Sequence, residues 1–466
     1  MSRIKRIAVV GGGIGGLAAS LELSKSPDVF VTLYEKESQS GGLCSSYRWK
    51  DVVCDRFYHV ALSSDTETLR LGRDLGLGNR LFWKGSSSGF YGSGKLVSMS
   101  SAFDFLRFPF LNPVDKLRLG LGILTAVRIR DPQSLSGLTA PVWLTQVFGR
   151  RLYERIWEPL LRSKLGEGRF RTSASFMWAT INRLYGARDR SRRRETMGGF
   201  GRGVWMLAEA AEKELRRRGV EIKTDTAVTG LRWNIGDSNS SAAAPEESPF
   251  SEGAGDKRAV MPSPPRFFLR TDETEGEFDR VLLTVPDAAI EKILPPGYFH
   301  PFRNRLKETE YLGIVCVLLV LRRPLTPYYV INLLDTDLPF TGVIETTNIY
   351  SPEDFGGRSL VYLPRYVLSG DPVLDQSDGE AADRAISSLR TIRPDLEPED
   401  ILHSAVFREP MTQALPTINN TAGDRGFETP VPGLFVSNSG LIQNTTLNNN
   451  AVLANIRRVV PLLLKD

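Results

Sequence analysis

"VVGGGIGGLAASLELSKSPDVFVTLYEKESQSGGL", residues 9–43, is the stretch whose reading decides the fold. The preceding "RIAVV" is apolar enough for a strand buried on both faces, as strands of parallel sheets are. Gly11, Gly13 and Gly16 then supply G-x-G-x-x-G, the helix "LAASLELSKS" follows, and "VFVTLYEK" forms a second strand. The bare spacing is common, but the strand–turn–helix context gives it a mechanism. The first glycine permits a tight turn, the second lets backbone approach a pyrophosphate, and the third packs helix on sheet. The helix start offers N–H groups to the anion. Glu35 closes the second strand 24 residues after Gly11, where a carboxylate binds ribose hydroxyls and repels a 2′-phosphate. With Ile14 and Gly15 inside the turn and Lys36 beside Glu35, these residues form the expected nucleotide-binding set.

Six residues beyond Glu35 stands the doublet Gly41-Gly42, followed by Leu43. A glycine motif, an acidic strand end, a short spacer and Gly-Gly together resemble the N-terminal signature of the FAD-dependent amine oxidase-like superfamily. That group includes protoporphyrinogen oxidases, phytoene-type desaturases and UDP-galactopyranose mutases. A domain that binds only NAD lacks the doublet, so the resemblance implies FAD. It implies an α/β fold, with a discontinuous Rossmann-like FAD-binding domain and an α+β substrate domain of mixed sheet and helices. "MGGFGRGVWMLAEAAEKELRRRGVEIKTDTAVTGL" resembles the family's second FAD segment, in which the backbone of Val228 would meet the adenine. "FDRVLLTVP" looks like the strand returning to the substrate domain, and "REPMTQALP" with "VPGLFVSNS" like the closing FAD segment. The expected boundaries are 1–85, 195–290 and 415–466 for the FAD domain, and 86–194 and 291–414 for the substrate domain.

Composition agrees with two domains, since 466 residues exceed the roughly 250–300 at which one core stops growing. The 41% hydrophobic and 24% charged content is that of an ordinary globular protein. Three cysteines and three histidines exclude a disulfide scaffold and show no zinc spacing, so no metal is expected. A cytoplasmic setting fits that cysteine usage, and a first strand starting near Ile4 leaves no room for a signal peptide. No apolar run reaches the ~18 residues that span a bilayer. "YLGIVCVLLVL" (311–321) reads as a buried strand. The net charge of +5 is unevenly spread: Arg183, Arg188, Arg190, Arg192, Arg193 and Arg194 crowd one segment. That segment is either a solvated loop or an attractor for phosphate or an anionic membrane surface. No binding motif for nucleic acid accompanies it. The Ser/Ala/Pro/Gly-rich stretch 236–265 cannot bury a core and is expected as a disordered loop. "MGGFGRG" (197–203) reads as a glycine turn, and 311–366 as several strands, among them "TGVIETTN" and "SLVYLPRY".

Candidate chemistry follows from the resemblance. In the family the last helix begins beneath the pyrimidine edge of the flavin, and "TTLNNNAVLANI" occupies that place here. A helix N-terminus there stabilises negative charge on the reduced ring. Asn448, Asn449 and Asn450 would cap the helix and hold polar groups of flavin or substrate; the simpler reading is a capped helix alone. Where the family often has an acid after the "GLF" strand, this chain has Asn438 and Ser439. His59, in "FYH" with Tyr58, takes the place of the mutases' Gly-Ala-His run; the alternative is a structural histidine bonded to backbone. Cys316 stands where amine oxidases carry a lysine near flavin N5, which argues against simple amine oxidation and toward desaturase, dehydrogenase or isomerase chemistry. Tyr362, Arg365 and Tyr366 lie near a strand end, where an arginine either clamps a carboxylate or phosphate or faces solvent. The aromatics of "FDFLRFPFLNP" (103–113) either pack a core, line an apolar tunnel or touch a membrane.

The resulting expectation is an FAD-dependent oxidoreductase that removes a hydride from a C–H bond of a medium-sized apolar or anionic small molecule, lipid-like or phosphate-bearing. His59, Tyr58, Tyr362 and Arg365 are the catalytic candidates, and a peripheral membrane contact is compatible. Two alternatives remain open: a non-redox flavin isomerase of the sugar-mutase type, and a non-catalytic FAD-binding protein.

Overall fold

The computed structural model describes residues 3–135, 137–186, 196–234, 265–296, 300–335, 337–418, 426–442 and 448–465. The expected loop at 236–265 and the arginines from Arg188 to Arg194 lie outside the described residues.

The glycine-motif region folds as strand β1 (Lys5–Val10), helix α1 (Ile14–Leu23) and strand β2 (Val29–Tyr34). β1 and β2 lie in a five-stranded sheet in the order Leu434–Val436, Arg280–Leu283, β1, β2, Glu221–Lys223, with every pairing parallel. β1 is apolar on both faces because both are covered. Ile7 and Val9 join Leu17 and Leu21 of α1 in one core, while Ala8 and Val10 join Val281 and Leu283 in another.

A second sheet has seven strands, in the order Ile401–Ala414, Tyr311–Leu321, Ser359–Leu368, Gly342–Glu345, Val330–Leu333, Ser88–Gly92, Lys95–Ser98. All its pairings are antiparallel except that between Val330–Leu333 and Ser88–Gly92. All 11 residues of Tyr311–Leu321 are buried, as its β-branched run requires. Its alternation divides two cores. Ile314, Cys316, Leu318 and Val320 face a tyrosine-rich cluster, while Val317, Leu319 and Leu321 face helix Asp378–Ile392.

Two local readings change. Thr196–Phe200 is a strand, not a turn, and pairs antiparallel with Leu81–Gly85. Its glycines permit close approach: a Cβ at Gly199 would lie 2.6 Å from the Tyr350 ring, and one at Gly198 2.5 Å from the Phe82 carbonyl oxygen. "TGVIETTN" keeps strand geometry only over Gly342–Glu345, then tightens into a 3-10 turn at Thr346–Asn348. There the buried Glu345 carboxylate accepts the N–H groups of Leu325 and Thr326 and the Ser359 hydroxyl, pinning the chain where it turns.

Asp55 ends strand Val52–Asp55, and its buried carboxylate accepts N–H bonds from Val204 (3.1 Å) and Trp205 (2.7 Å), at the start of helix Trp205–Arg217. The helix start and two N–H donors favour the charge. Desolvation outweighs them and pushes the carboxyl up to about 7. In the unfolded chain it returns to about 4, so between those values the folded state holds the extra proton. This group's stabilisation is therefore full below about pH 4 and declines as pH rises toward 7, by a few kcal/mol in total. The wild-type urea midpoint is expected to fall over that window relative to Asp55→Asn, which cannot titrate; parallel pH profiles for the two proteins would contradict the assignment.

Candidate cofactor and substrate site

Gly13 caps α1 in an extended conformation, with no side-chain cap and no acid in the first turn. The N–H groups of that turn therefore face a region open to an anion. Gly11 has φ 107°, which admits little but glycine. A Cβ at Gly16 would overlap the Gly11 carbonyl oxygen, whereas one at Gly13 would meet no protein atom within 4 Å. The turn is closed on its protein side and open on the other, a cradle that suits a pyrophosphate.

Glu35, buried at the end of β2, accepts the Gly12 N–H at 2.7 Å and the Glu37 N–H at 2.9 Å. Its carboxylate is thereby held against the glycine turn. Lys36 points away and pairs with Glu37 at 3.3 Å. The doublet joins the same turn: Gly41 donates its N–H to the Gly12 carbonyl at 2.8 Å, and Gly41 and Gly42 have φ of 120° and 57°. Leu43 follows in a short 3-10 turn, Gly42–Cys44. Thr226 donates its N–H to the Glu35 carbonyl, which places the segment leading to Val228 beside that carboxylate. Strand Val228–Asn234 begins there.

The three asparagines do three different things at the start of helix Asn449–Leu464. Asn448 caps its own helix, accepting the Ala451 N–H at 2.9 Å. Asn449 accepts the Cys44 thiol hydrogen at 3.3 Å, tying the helix to the doublet turn. Burial raises that thiol to about 12, so it remains a donor. Asn450 accepts the Glu67 N–H at 2.7 Å and so caps a second helix, α2 (Thr66–Asp74). Gly15 of α1 lies against the same helix, its Cβ position 3.0 Å from Val452. Three helix starts, those of α1, α2 and Asn449–Leu464, are thus fastened to one another beside the glycine turn. Asn438 spends both amide hydrogens inside the protein, on the Val285 carbonyl (2.9 Å) and the buried Asp287 carboxylate (2.7 Å). That leaves it no side-chain N–H for a ligand.

The tyrosine-rich face of the large sheet gathers some of the remaining candidates and separates others. The Tyr58 and Tyr366 hydroxyls are 3.0 Å apart, and the Tyr58 and Tyr362 rings 6.2 Å. Cys316 shares this cluster, and burial pushes its thiol far up. The Tyr362 hydroxyl donates to the Asp55 carbonyl at 2.6 Å. His59 is bonded through Nδ1 to the Phe57 carbonyl at 2.8 Å, and burial holds its pKa down, which favours the neutral ring. Arg365 is on the other side. Strand alternation sends Tyr362 and Tyr366 to one face and the odd-numbered residues to the face covered by helix Asp378–Ile392, where Arg365 meets the charge of Arg384. Arg365 therefore does not share the face that carries Tyr58, Tyr362 and Tyr366. Asp55, Cys44 and Asp65 escaped the sequence reading. Of these only Asp65 sits where a cap is expected, just before α2, and it receives the Leu62 N–H and the Arg183 guanidinium instead.

A parallel sheet, an open glycine cradle and a buried carboxylate held against it suit a protein that binds a nucleotide cofactor. Comparison with known proteins narrows this. The profile of the flavin containing amine oxidoreductases matches residues 14–446, and the chain belongs to that family: it is an FAD-dependent oxidoreductase. It is 22% identical over 259 residues to coproporphyrinogen III oxidase of Staphylococcus aureus, covering 49% of this chain and 55% of that one, so the match spans about half of that relative. It is 23% identical over 345 residues to mitochondrial protoporphyrinogen oxidase of Nicotiana tabacum, covering 70% and 67%. An oxidoreductase from Methanosarcina mazei has the same fold, with a TM-score of 0.71 over 98% of this chain and 100% of that one at 16% identity.

The cradle separates two glycine substitutions. Gly13→Ala is expected to leave the urea midpoint of the FAD-free protein nearly unchanged while weakening FAD binding by at least about tenfold, because the methyl occupies ligand space only. Gly16→Ala is expected to lower both. Flavin titration alongside urea unfolding decides, and a Gly13→Ala protein with unchanged flavin content would refute the cradle. Asn450→Ala removes the cap of α2 and is expected to cost about 1 kcal/mol in the same unfolding assay.

Proposed function

We propose that the enzyme removes a hydride from a C–H bond of a medium-sized apolar or anionic molecule. In this reading residues 1–85, 195–290 and 415–466 hold FAD, while 86–194 and 291–414 cover the substrate. FAD, when bound, supplies the hydride acceptor. Gly11, Gly13, Gly16 and the α1 start would hold its pyrophosphate, and Glu35 the ribose. Gly41, Gly42 and Leu43 would border the ring system. The start of helix Asn449–Leu464, ordered by Asn448 and Asn449, would present its partial positive charge to it.

The observation that carries the proposal is the character of the tyrosine face. Tyr362 and Cys316 offer a buried phenol and a protonated thiol, and Tyr58 and Tyr366 two half-buried phenols, with no charged acid–base pair among the four. Such a face positions a substrate and excludes water, leaving the rate to orientation and to the cofactor. The Tyr58–Tyr366 hydroxyl pair can orient one polar group of the substrate. Lys164 supports an anionic group: it is reached by solvent, yet the surrounding protein and the Arg183 guanidinium hold its ammonium below the usual lysine range. The setting we propose is cytoplasmic, with a peripheral membrane contact.

Anaerobic absorbance of the FAD-loaded enzyme against a panel of porphyrinogens, polyprenoid hydrocarbons, amines and nucleotide sugars tests this reading. Bleaching of the flavin band by an apolar or anionic C–H donor is the expected result. Turnover of a nucleotide sugar with no net reduction, or no response to any of them, would sink it. With the active substrate, Lys164→Met is expected to raise KM by roughly tenfold with little change in kcat, as loss of one charge-assisted contact would.

A further inference from the structure

Helices α3 (Ala102–Arg107) and α4 (Pro113–Arg128) turn large apolar side chains outward. Phe103, Leu106, Val114, Leu117, Leu121 and Leu124 are between 42% and 72% exposed. On α4 the spacing of Val114, Leu117, Leu121 and Leu124 puts all four on one side of the helix. The opposite side, Asp115, Leu119, Gly122 and Ala126, is the buried one. It docks closely: a Cβ at Gly122 would clash with the Phe148 ring, and Trp178 donates its indole N–H to the Ala126 carbonyl at 3.1 Å. The helix thus meets the protein through Leu119, Gly122 and Ala126, with Ile123 and Val127 beside them, yet presents Leu117, Leu121 and Leu124 to the outside, against ordinary burial.

The charges around this face have one sign. Residues 102–130 contain Arg107, Lys116, Arg118, Arg128 and Arg130 against two acids, Asp104 and Asp115. Both acids are engaged within the protein. Asp104 accepts from Ser98, Ser100 and Ser101 at its helix start, and Asp115 is buried and paired with Arg151 at 3.1 Å. Arg107, Arg118, Arg128 and Arg130 are exposed, with the Arg107 guanidinium 4.0 Å over the Phe103 ring. An apolar face rimmed by cations complements a surface that is anionic outside and hydrocarbon within.

We propose that the α3–α4 face docks on an anionic lipid bilayer, its apolar side chains among the acyl chains and its arginines at the headgroup phosphates. This rests on the peripheral setting proposed above and not on which C–H bond is oxidised. The test is pelleting of the FAD-loaded enzyme with phosphatidylcholine vesicles, with and without about one quarter phosphatidylglycerol. Wild type is expected to pellet with the anionic vesicles and to be largely released by high salt. The double variant Leu117→Asp/Leu121→Asp is expected to partition at least about tenfold less, with the same urea midpoint and flavin spectrum, since both positions are exposed. Wild type that stays in solution with anionic vesicles, or a double variant that pellets equally, overturns the proposal. So does a lipid-free dimer in sedimentation velocity that the double variant dissolves, because the face would then be covered by a second copy. Flavin reduction in the same samples reports separately on catalysis: its failure with intact pelleting would count against the oxidation reading and not against docking.

Discussion

The gap between the Gly11 carbonyl oxygen and the Cα of Gly16 has no room for a side chain, and much of the molecule is arranged to keep it closed. Just past strand Arg280–Leu283, Thr284 donates its hydroxyl to the carbonyls of Val10 and Gly11, clamping the end of β1 beside Gly16 of α1. With α1 held so close, Gly15 lies flat enough for Val452 to rest on it, and helix Asn449–Leu464 can dock. Once that helix is docked, Asn450 is in place to cap α2 and Asn449 to hold the doublet turn. One short contact therefore bears on the positions of three helix starts that are fastened to one another.

Buried carboxylates do the corresponding work between segments distant in sequence. Glu35 joins β2 to the glycine turn, Asp55 joins a hairpin to helix Trp205–Arg217, and Glu345 joins the large sheet to Leu325 and Thr326. Each accepts backbone N–H groups that would otherwise be unpaired in the interior. Removing such a carboxylate therefore strands donors on another segment rather than merely deleting a contact. These carboxylates thereby tie together stretches that lie far apart in the sequence.

The parts legible in the sequence were those in which local physics and function agree. The glycine spacing, Glu35 and the doublet each require particular residue types for reasons confined to a turn, and the all-apolar run Tyr311–Leu321 can only be a covered strand. The glycines of Thr196–Phe200 misled because a glycine that makes space for a neighbouring Tyr350 ring looks the same as one that makes a turn. Arg365 stood beside Tyr362 and Tyr366 in the sequence, but which sheet face each occupies is legible only once the strand is aligned with its neighbours. Asp55 and Asn450 were illegible for a third reason: their partners are 150 and 383 residues away.

That last separation bears on how the protein is made. Glu67 leaves the ribosome 383 residues before the asparagine that caps its helix, a delay of roughly 20–80 s at ordinary elongation rates. Strand Arg280–Leu283, which separates β1 from the sheet's edge, also arrives late. During that interval the nascent glycine turn lacks both its clamp and its neighbouring helix. The fastening of the three helix starts to one another is therefore completed only after residue 450 has been translated.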